Sequence, residues 1–144
     1  MDNHLIGIMG GLGHIGLIQA ACLAKLGYKT VACDQKSISR KELLDGVLPF
    51  YEPGLAGLVK ETVKNGYLTF TSRVEDLEDC NFIFICVGTP SLLSGETDTS
   101  QVYLAVSEVA RKRKRHCLII IKSTVPVGTN RNITAYLEEN NLSE

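Results

Sequence analysis

Three glycines and one carboxylate carry the first chemical signal in the chain: Gly11, Gly13 and Gly16, then Asp34. The glycines stand as G-x-G-x-x-G behind the apolar run Leu5-Ile6-Gly7-Ile8-Met9, and a helical pattern from Ile15 to Leu26 follows them. Glycine at these three places permits a tight turn, a backbone surface open to a phosphate, and close packing of helix on strand. The helix then aims its free N–H groups and positive dipole end at an anion, a field worth roughly 0.3–1 kcal/mol when exposed. Gly27 ends the helix, and Lys29-Thr30-Val31-Ala32-Cys33 reads as a second strand with Asp34 at its tip. An acid about 20 residues beyond such a turn is placed to hold a ribose. A glycine-rich hairpin would explain the triplet alone, but it leaves strand, helix, second strand and terminal acid unexplained. The pattern therefore points to a dinucleotide. Asp34 favours NAD over NADP, because a 2′-phosphate near a carboxylate meets a repulsion of roughly 1–4 kcal/mol at effective dielectrics of 80 to 20. Lys36 and Arg40 lie just beyond and soften that repulsion.

Two further clusters follow strand-like runs. Phe82 to Val87 leads into Gly88-Thr89-Pro90, and Cys117 to Lys122 leads into Ser123-Thr124-Val125-Pro126-Val127-Gly128. Pro90 keeps Thr89 out of helical space, and the second segment sets two hydroxyls at a strand tip. A cofactor contact and simple turn capping are both open for Ser123 and Thr124.

Those residues need a scaffold that brings strand ends together. Strand-like runs at Leu5–Met9, Lys29–Asp34, Leu68–Thr71, Phe82–Val87 and Cys117–Lys122 alternate with helical or turn-rich stretches. Such alternation predicts an α/β, Rossmann-like, doubly wound parallel sheet with helices on both faces. The last two runs are continuously apolar, as expected of central strands. Helical spacing is also predicted over Ser37–Leu44 and Leu55–Asn65, broken by Pro49-Phe50-Tyr51-Glu52-Pro53-Gly54, with Pro53 suited to a first helical turn. Asp98 and Gln101 have capping-box spacing for a helix over Thr99–Lys112.

With 144 residues, the chain has the size of one domain, 1–144. Its 15 Lys and Arg balance 16 Asp and Glu, so net charge argues for neither nucleic acid nor an anionic membrane. The run Arg111-Lys112-Arg113-Lys114-Arg115-His116 lacks a stacking aromatic and reads as a solvated helix end. Cys22, Cys33, Cys80, Cys86 and Cys117 form no C-x-x-C pair, so reduced thiols in a cytoplasmic core are expected, without disulfide or metal. Met1-Asp2-Asn3-His4 runs straight into the first strand, and no apolar run reaches the roughly 20 residues of a membrane span.

The set as a whole resembles the N-terminal NAD-binding domain of the UDP-glucose/GDP-mannose dehydrogenase family. The match runs through the glycine turn, Asp34, Pro49-Phe50-Tyr51-Glu52-Pro53-Gly54-Leu55, Val87-Gly88-Thr89-Pro90, Asp98 with Ser100, and Lys122-Ser123-Thr124-Val125-Pro126-Val127-Gly128. The family oxidises the C6 alcohol of a nucleotide sugar to a carboxylate in two NAD-dependent steps, through a thioester on a catalytic cysteine. The resemblance implies a cofactor-contacting set of Gly11, Gly13, His14, Ile15, Gly16, Asp34, Val87, Gly88, Thr89, Pro90 and Ser123. It makes Thr124 the catalytic candidate, positioning an active-site water, and implies a nucleotide sugar such as UDP-glucose as substrate and a homodimer at full length. His14 stands where a tyrosine is usual, and Ser39 where a basic residue often assists the adenine end. The family's cysteine motif and sugar-binding domain are absent from these residues, and Cys86 and Cys22 are expected to be buried and unreactive. Two other readings share the fold: a stand-alone NAD-binding regulatory module, and a dehydrogenase of a different hydroxy substrate.

Overall fold

The computed structural model describes residues 4–143. The Met1–Asn3 stretch expected to lead into the first strand, and Glu144, lie outside the described residues. The elements run β1 (Leu5–Met9), α1 (His14–Lys25), β2 (Lys29–Cys33), α2 (Arg40–Leu44), α3 (Leu55–Lys64), β3 (Leu68–Thr71), a 3-10 turn (Val74–Leu77), β4 (Phe82–Ile85), α4 (Ser100–Lys112), β5 (Leu118–Ile121) and α5 (Thr129–Glu139). All strand pairings are parallel, in the order β3-β2-β1-β4-β5. The chain moves outward from β1 to β3, then crosses back to β4 on the other side of β1. The carboxyl ends of β1 and β4 therefore flank the topological switch, where open α/β sheets bind ligands.

Two apolar cores cover the two sheet faces. Ile6 and Ile8 of β1 join Leu17, Ala20, Ala21 and Ala24 of α1 and Leu55, Val59 and Val63 of α3 in the first. Met9, Ile83 and Ile85 join Val102, Ala105, Val106 and Val109 of α4 in the second. The period-2 alternation of the strands thus splits apolar side chains between opposite helical layers.

Several boundaries differ from the sequence reading, each for a local reason. α2 starts at Arg40 because Ser39 and Glu42 form a reciprocal capping box, with Glu42 N–H donating to Ser39 Oγ at 3.1 Å and Ser39 N–H to Glu42 Oε2 at 2.8 Å. Pro53 precedes the first turn of α3, whose N-cap is Gly54 in the left-handed region. The capping box expected at Asp98 and Gln101 does not form. Asp98 Oδ1 instead accepts the Ser100 N–H at 2.9 Å, and the N-cap of α4 is Thr99. β4 ends at Ile85 and β5 covers only Leu118–Ile121. β5 is an edge strand and not a central one, with Leu118 54% exposed, since an apolar run alone does not distinguish the two positions. The cationic run at the end of α4 is fastened to acids around the 3-10 turn: Lys112 to Glu75 at 2.9 Å, Lys114 to Glu78 at 2.6 Å and Arg115 to Asp79 at 2.9 Å.

Candidate functional site

A cleft of about 450 Å³ opens at the carboxyl ends of β1, β2 and β4. Met9, Gly10 and Gly13 line it from β1 and its turn, Cys33, Asp34 and Gln35 from β2, and Cys86, Val87 and Gly88 from β4. Ser72, Val74 and the α4 residues Gln101, Leu104, Ala105 and Glu108 close its far wall.

The glycines divide the work of the turn among themselves. Gly10, which the motif reading passed over, has φ +81°, and a Cβ there would stand 2.6 Å from the Cys86 carbonyl oxygen. Its signal in the sequence was the doubled Gly10-Gly11. At Gly11 a Cβ would press on Ala32 of β2 at 2.7 Å, and at Gly16 it would overlap the Gly10 carbonyl oxygen outright. Both are buried packing positions that keep β2 and α1 close to the turn. Gly13 alone of the triplet faces the cleft, where a Cβ would meet only the Gly10 oxygen at 3.3 Å and the Cys86 oxygen at 3.9 Å.

Gly13 is also the N-cap of α1, with no side-chain capping bond and no acidic residue in the first turn. The first intrahelical bond runs from Leu17 N–H to Gly13 O at 2.9 Å, so the amides of His14, Ile15 and Gly16 point out of the helix start. An anion there would meet oriented donors and the positive dipole end. Asp34 is oriented by two backbone amides: Leu12 N–H donates to Oδ2 and Lys36 N–H to Oδ1, each at 3.0 Å. One carboxylate thereby ties the β2 tip to the glycine turn while its remaining lone pairs stay available to hydroxyl donors.

The other expected contacts sit at different depths. Val87 and Gly88 line the cleft; Thr89, Pro90, Ser123 and Thr124 are not among its lining residues. Ser123 Oγ donates to Val87 O at 2.7 Å, with Ile85 O at 3.2 Å, and its N–H donates to Ile85 O at 3.0 Å. Ser123 thus fastens the tip of β5 to that of β4, and Thr124 follows it as an exposed residue. His14 and Ile15 are exposed on α1. The His14 ring stacks on Phe50 with centroids 4.4 Å apart, and its Nε2 lies 3.6 Å from Glu52 Oε2. This contact anchors the Pro49–Gly54 segment against the start of α1, a placement that no local motif announced.

The thiols respond to burial. Desolvation pushes Cys33 up to about 11, reinforced by the charges of Asp34, Asp76, Glu108 and Glu75. Cys86 is also raised to about 11 by burial, partly offset by Lys122, and Cys80 to about 12, with Cys117 and Asp79 adding to burial. Cys22, expected in the core, is exposed, because α1 turns Leu17, Ala20, Ala21 and Ala24 inward and leaves Cys22 on the outer face. All five cysteines are free thiols.

A parallel sheet with an uncapped helix start, an unhindered glycine and an oriented carboxylate at its switch point is a Rossmann-type dinucleotide-binding domain. The residues fit a dinucleotide by their donors, by the cleft-facing Gly13 and by the acid at the end of β2. A family model described as "UDP-glucose/GDP-mannose dehydrogenase family, NAD binding domain" matches residues 5–144, and the chain belongs to that family. It is 37% identical over 130 residues to the UDP-glucose 6-dehydrogenase TuaD of Bacillus subtilis, covering 90% of this chain and 28% of that protein. It is 41% identical over 134 residues to the uncharacterized protein MJ1054 of Methanocaldococcus jannaschii, covering 92% of this chain and 15% of that one. Among solved structures, the UDP-D-ManNAc dehydrogenase of Pyrococcus horikoshii superimposes with TM-score 0.85 at 38% identity, over 96% of this chain and 32% of the other. The UDP-glucose dehydrogenase of Pyrobaculum islandicum gives 0.86 at 30% identity, over 99% and 34%. The chain therefore spans about a third or less of the relatives it matches. Among the described residues no helix is long and apolar enough to cross a membrane.

Proposed function

We propose that this chain, residues 1–144, is the cofactor-binding part of a nucleotide-sugar 6-dehydrogenase, of the kind that oxidises a sugar C6 alcohol to a carboxylate with two NAD. The observation that carries the reading is the cleft shared by Gly13, the N-cap of α1, and Asp34, together with the family match. The diphosphate of NAD is assigned to the α1 amides beside Gly13, and the adenosine ribose to Asp34. Bound NAD supplies hydride acceptance; the chain's own part is to orient it and to turn away a 2′-phosphate at Asp34.

Thr124, exposed beyond the Ser123 clamp, is assigned to the substrate side, where its hydroxyl positions a water. The family's nucleophilic thiol is assigned to residues outside this chain. Cys33, Cys80 and Cys86 are held protonated at neutral pH by burial, and Cys22 lies on the outer face of α1. The 144 residues alone are accordingly expected to bind NAD without turning over sugar. UDP-glucose is the first substrate to assay, on the strength of TuaD and the Pyrobaculum enzyme. In the whole enzyme a cytoplasmic homodimer completes the assignment.

Thermal unfolding with each dinucleotide tests the cofactor reading. Saturation at 100 Kd adds about 2.7 kcal/mol. NAD is expected to raise the melting temperature, NADP to raise it far less at equal concentration, and Asp34→Ala to remove most of the NAD shift. No shift with NAD, or an equal shift with NADP, contradicts the assignment.

A further inference from the structure

The cleft lined by Asp34 also has a wall that the glycine turn and ribose acid do not explain. Val74 and the α4 residues Leu104, Ala105 and Glu108, the last three at helical spacing, line it together. It shares the cleft with the carboxylate assigned to the ribose, so the base attached to that ribose is the group placed against it. Apolar side chains suit the faces of a flat purine, and Glu108 is the carboxylate among them.

Glu108 is positioned to act on what enters. It is half-buried, and its charge reaches the thiol of Cys33, on the β2 side of the same cleft. The cation one helical turn on, Lys112, bonds Glu75 at 2.9 Å and acts on Glu108 only through its charge. A carboxylate only accepts hydrogen bonds, and adenine offers two donors at its exocyclic N6 amine. We propose that Glu108 is the base-reading residue of the cofactor site, accepting a hydrogen bond from the adenine N6 amine beside Val74 and Leu104. The inference rests on the NAD-site reading and deepens it from a dinucleotide to a stated base.

The discriminating probe is nicotinamide hypoxanthine dinucleotide, in which a carbonyl oxygen replaces the N6 amine and sets acceptor against acceptor. Calorimetric titration of the 144-residue chain is expected to give a Kd about tenfold weaker for this analogue than for NAD. Glu108→Gln keeps an acceptor for adenine and adds an amide donor for the hypoxanthine oxygen. Its ratio is expected to fall close to one, mainly through tighter analogue binding, with NAD modestly weakened as a charged acceptor becomes a neutral one. Glu108→Ala is expected to bring the ratio close to one by weakening NAD instead. Melting temperatures of the free variants report whether folding is intact. Equal binding of NAD and the analogue by the wild type, or an unchanged tenfold ratio in both variants, overturns the base-reading role while leaving the NAD site standing. Failure of the wild type to bind either dinucleotide overturns both.

Discussion

Gly13 and Gly16 belong to one motif, yet their surroundings predict opposite consequences for the same added methyl group. At Gly16 a Cβ would overlap the Gly10 carbonyl oxygen, stand 2.9 Å from its carbon and 3.2 Å from Gly11 Cα, all backbone atoms that cannot rotate aside. Relief requires α1 to move off the turn. Overpacking of this severity costs about 3 kcal/mol, which for a domain of this size lowers the melting temperature by roughly 10 °C. At Gly13 the nearest atom is 3.3 Å away, and φ −71°, ψ 163° is accessible to alanine. Lost N-cap preference and reduced unfolded-state entropy, each below about 1 kcal/mol, nearly cancel there, so Gly13→Ala is expected to melt within ~3 °C of wild type. Its methyl instead occupies the cleft face assigned to the diphosphate, and NAD affinity is expected to fall at least tenfold, about 1.4 kcal/mol. Scanning fluorimetry and calorimetric titration on the two variants measure both quantities. A Gly16→Ala chain as stable as wild type, or a Gly13→Ala chain with undiminished NAD affinity, refutes the division of labour.

Ser123→Ala removes the hydroxyl bonded to Val87 O and Ile85 O, so a loss of about 1 kcal/mol is expected by denaturant titration, with faster amide exchange at the tips of β4 and β5. Ser39→Ala breaks the capping box of α2 and is expected to cost about 1 kcal/mol with NAD affinity unchanged, since α2 does not line the cleft. Thiol labelling at pH 7.5 is expected to show a fast phase that Cys22→Ser eliminates, while the buried Cys33 and Cys80 and the half-buried Cys86 react slowly as protonated thiols. A fast phase that survives Cys22→Ser contradicts the burial assignments.

What the sequence announced was the part specified locally. β1, the glycine turn, α1, β2 and Asp34 follow one another with short connections, so periodicity, steric need and end signals all point the same way. What it hid was assembled across the fold. Ser72 and Val74 reach the cleft from the segment after β3 and Leu104 and Glu108 from α4, and no residue type among them marks a site. The edge position of β5 depends on pairing with β4, which an apolar run does not encode. Cys22 was misplaced because an alanine-rich helix carries a weak amphipathic signal, and only packing on the sheet reveals which side is outside. The Asp98 capping pattern failed because an Asx-type bond to Ser100 satisfied the same carboxylate two residues on.

The central claim is that one cleft holds NAD by the start of α1 and the tip of β2. A crystal structure of the chain with NAD measures it directly. The diphosphate is expected over Gly13 within hydrogen-bonding distance of the first α1 amides, and the adenosine ribose hydroxyls on Asp34. NAD bound at any other face, or in this cleft with its ribose turned away from Asp34, contradicts it.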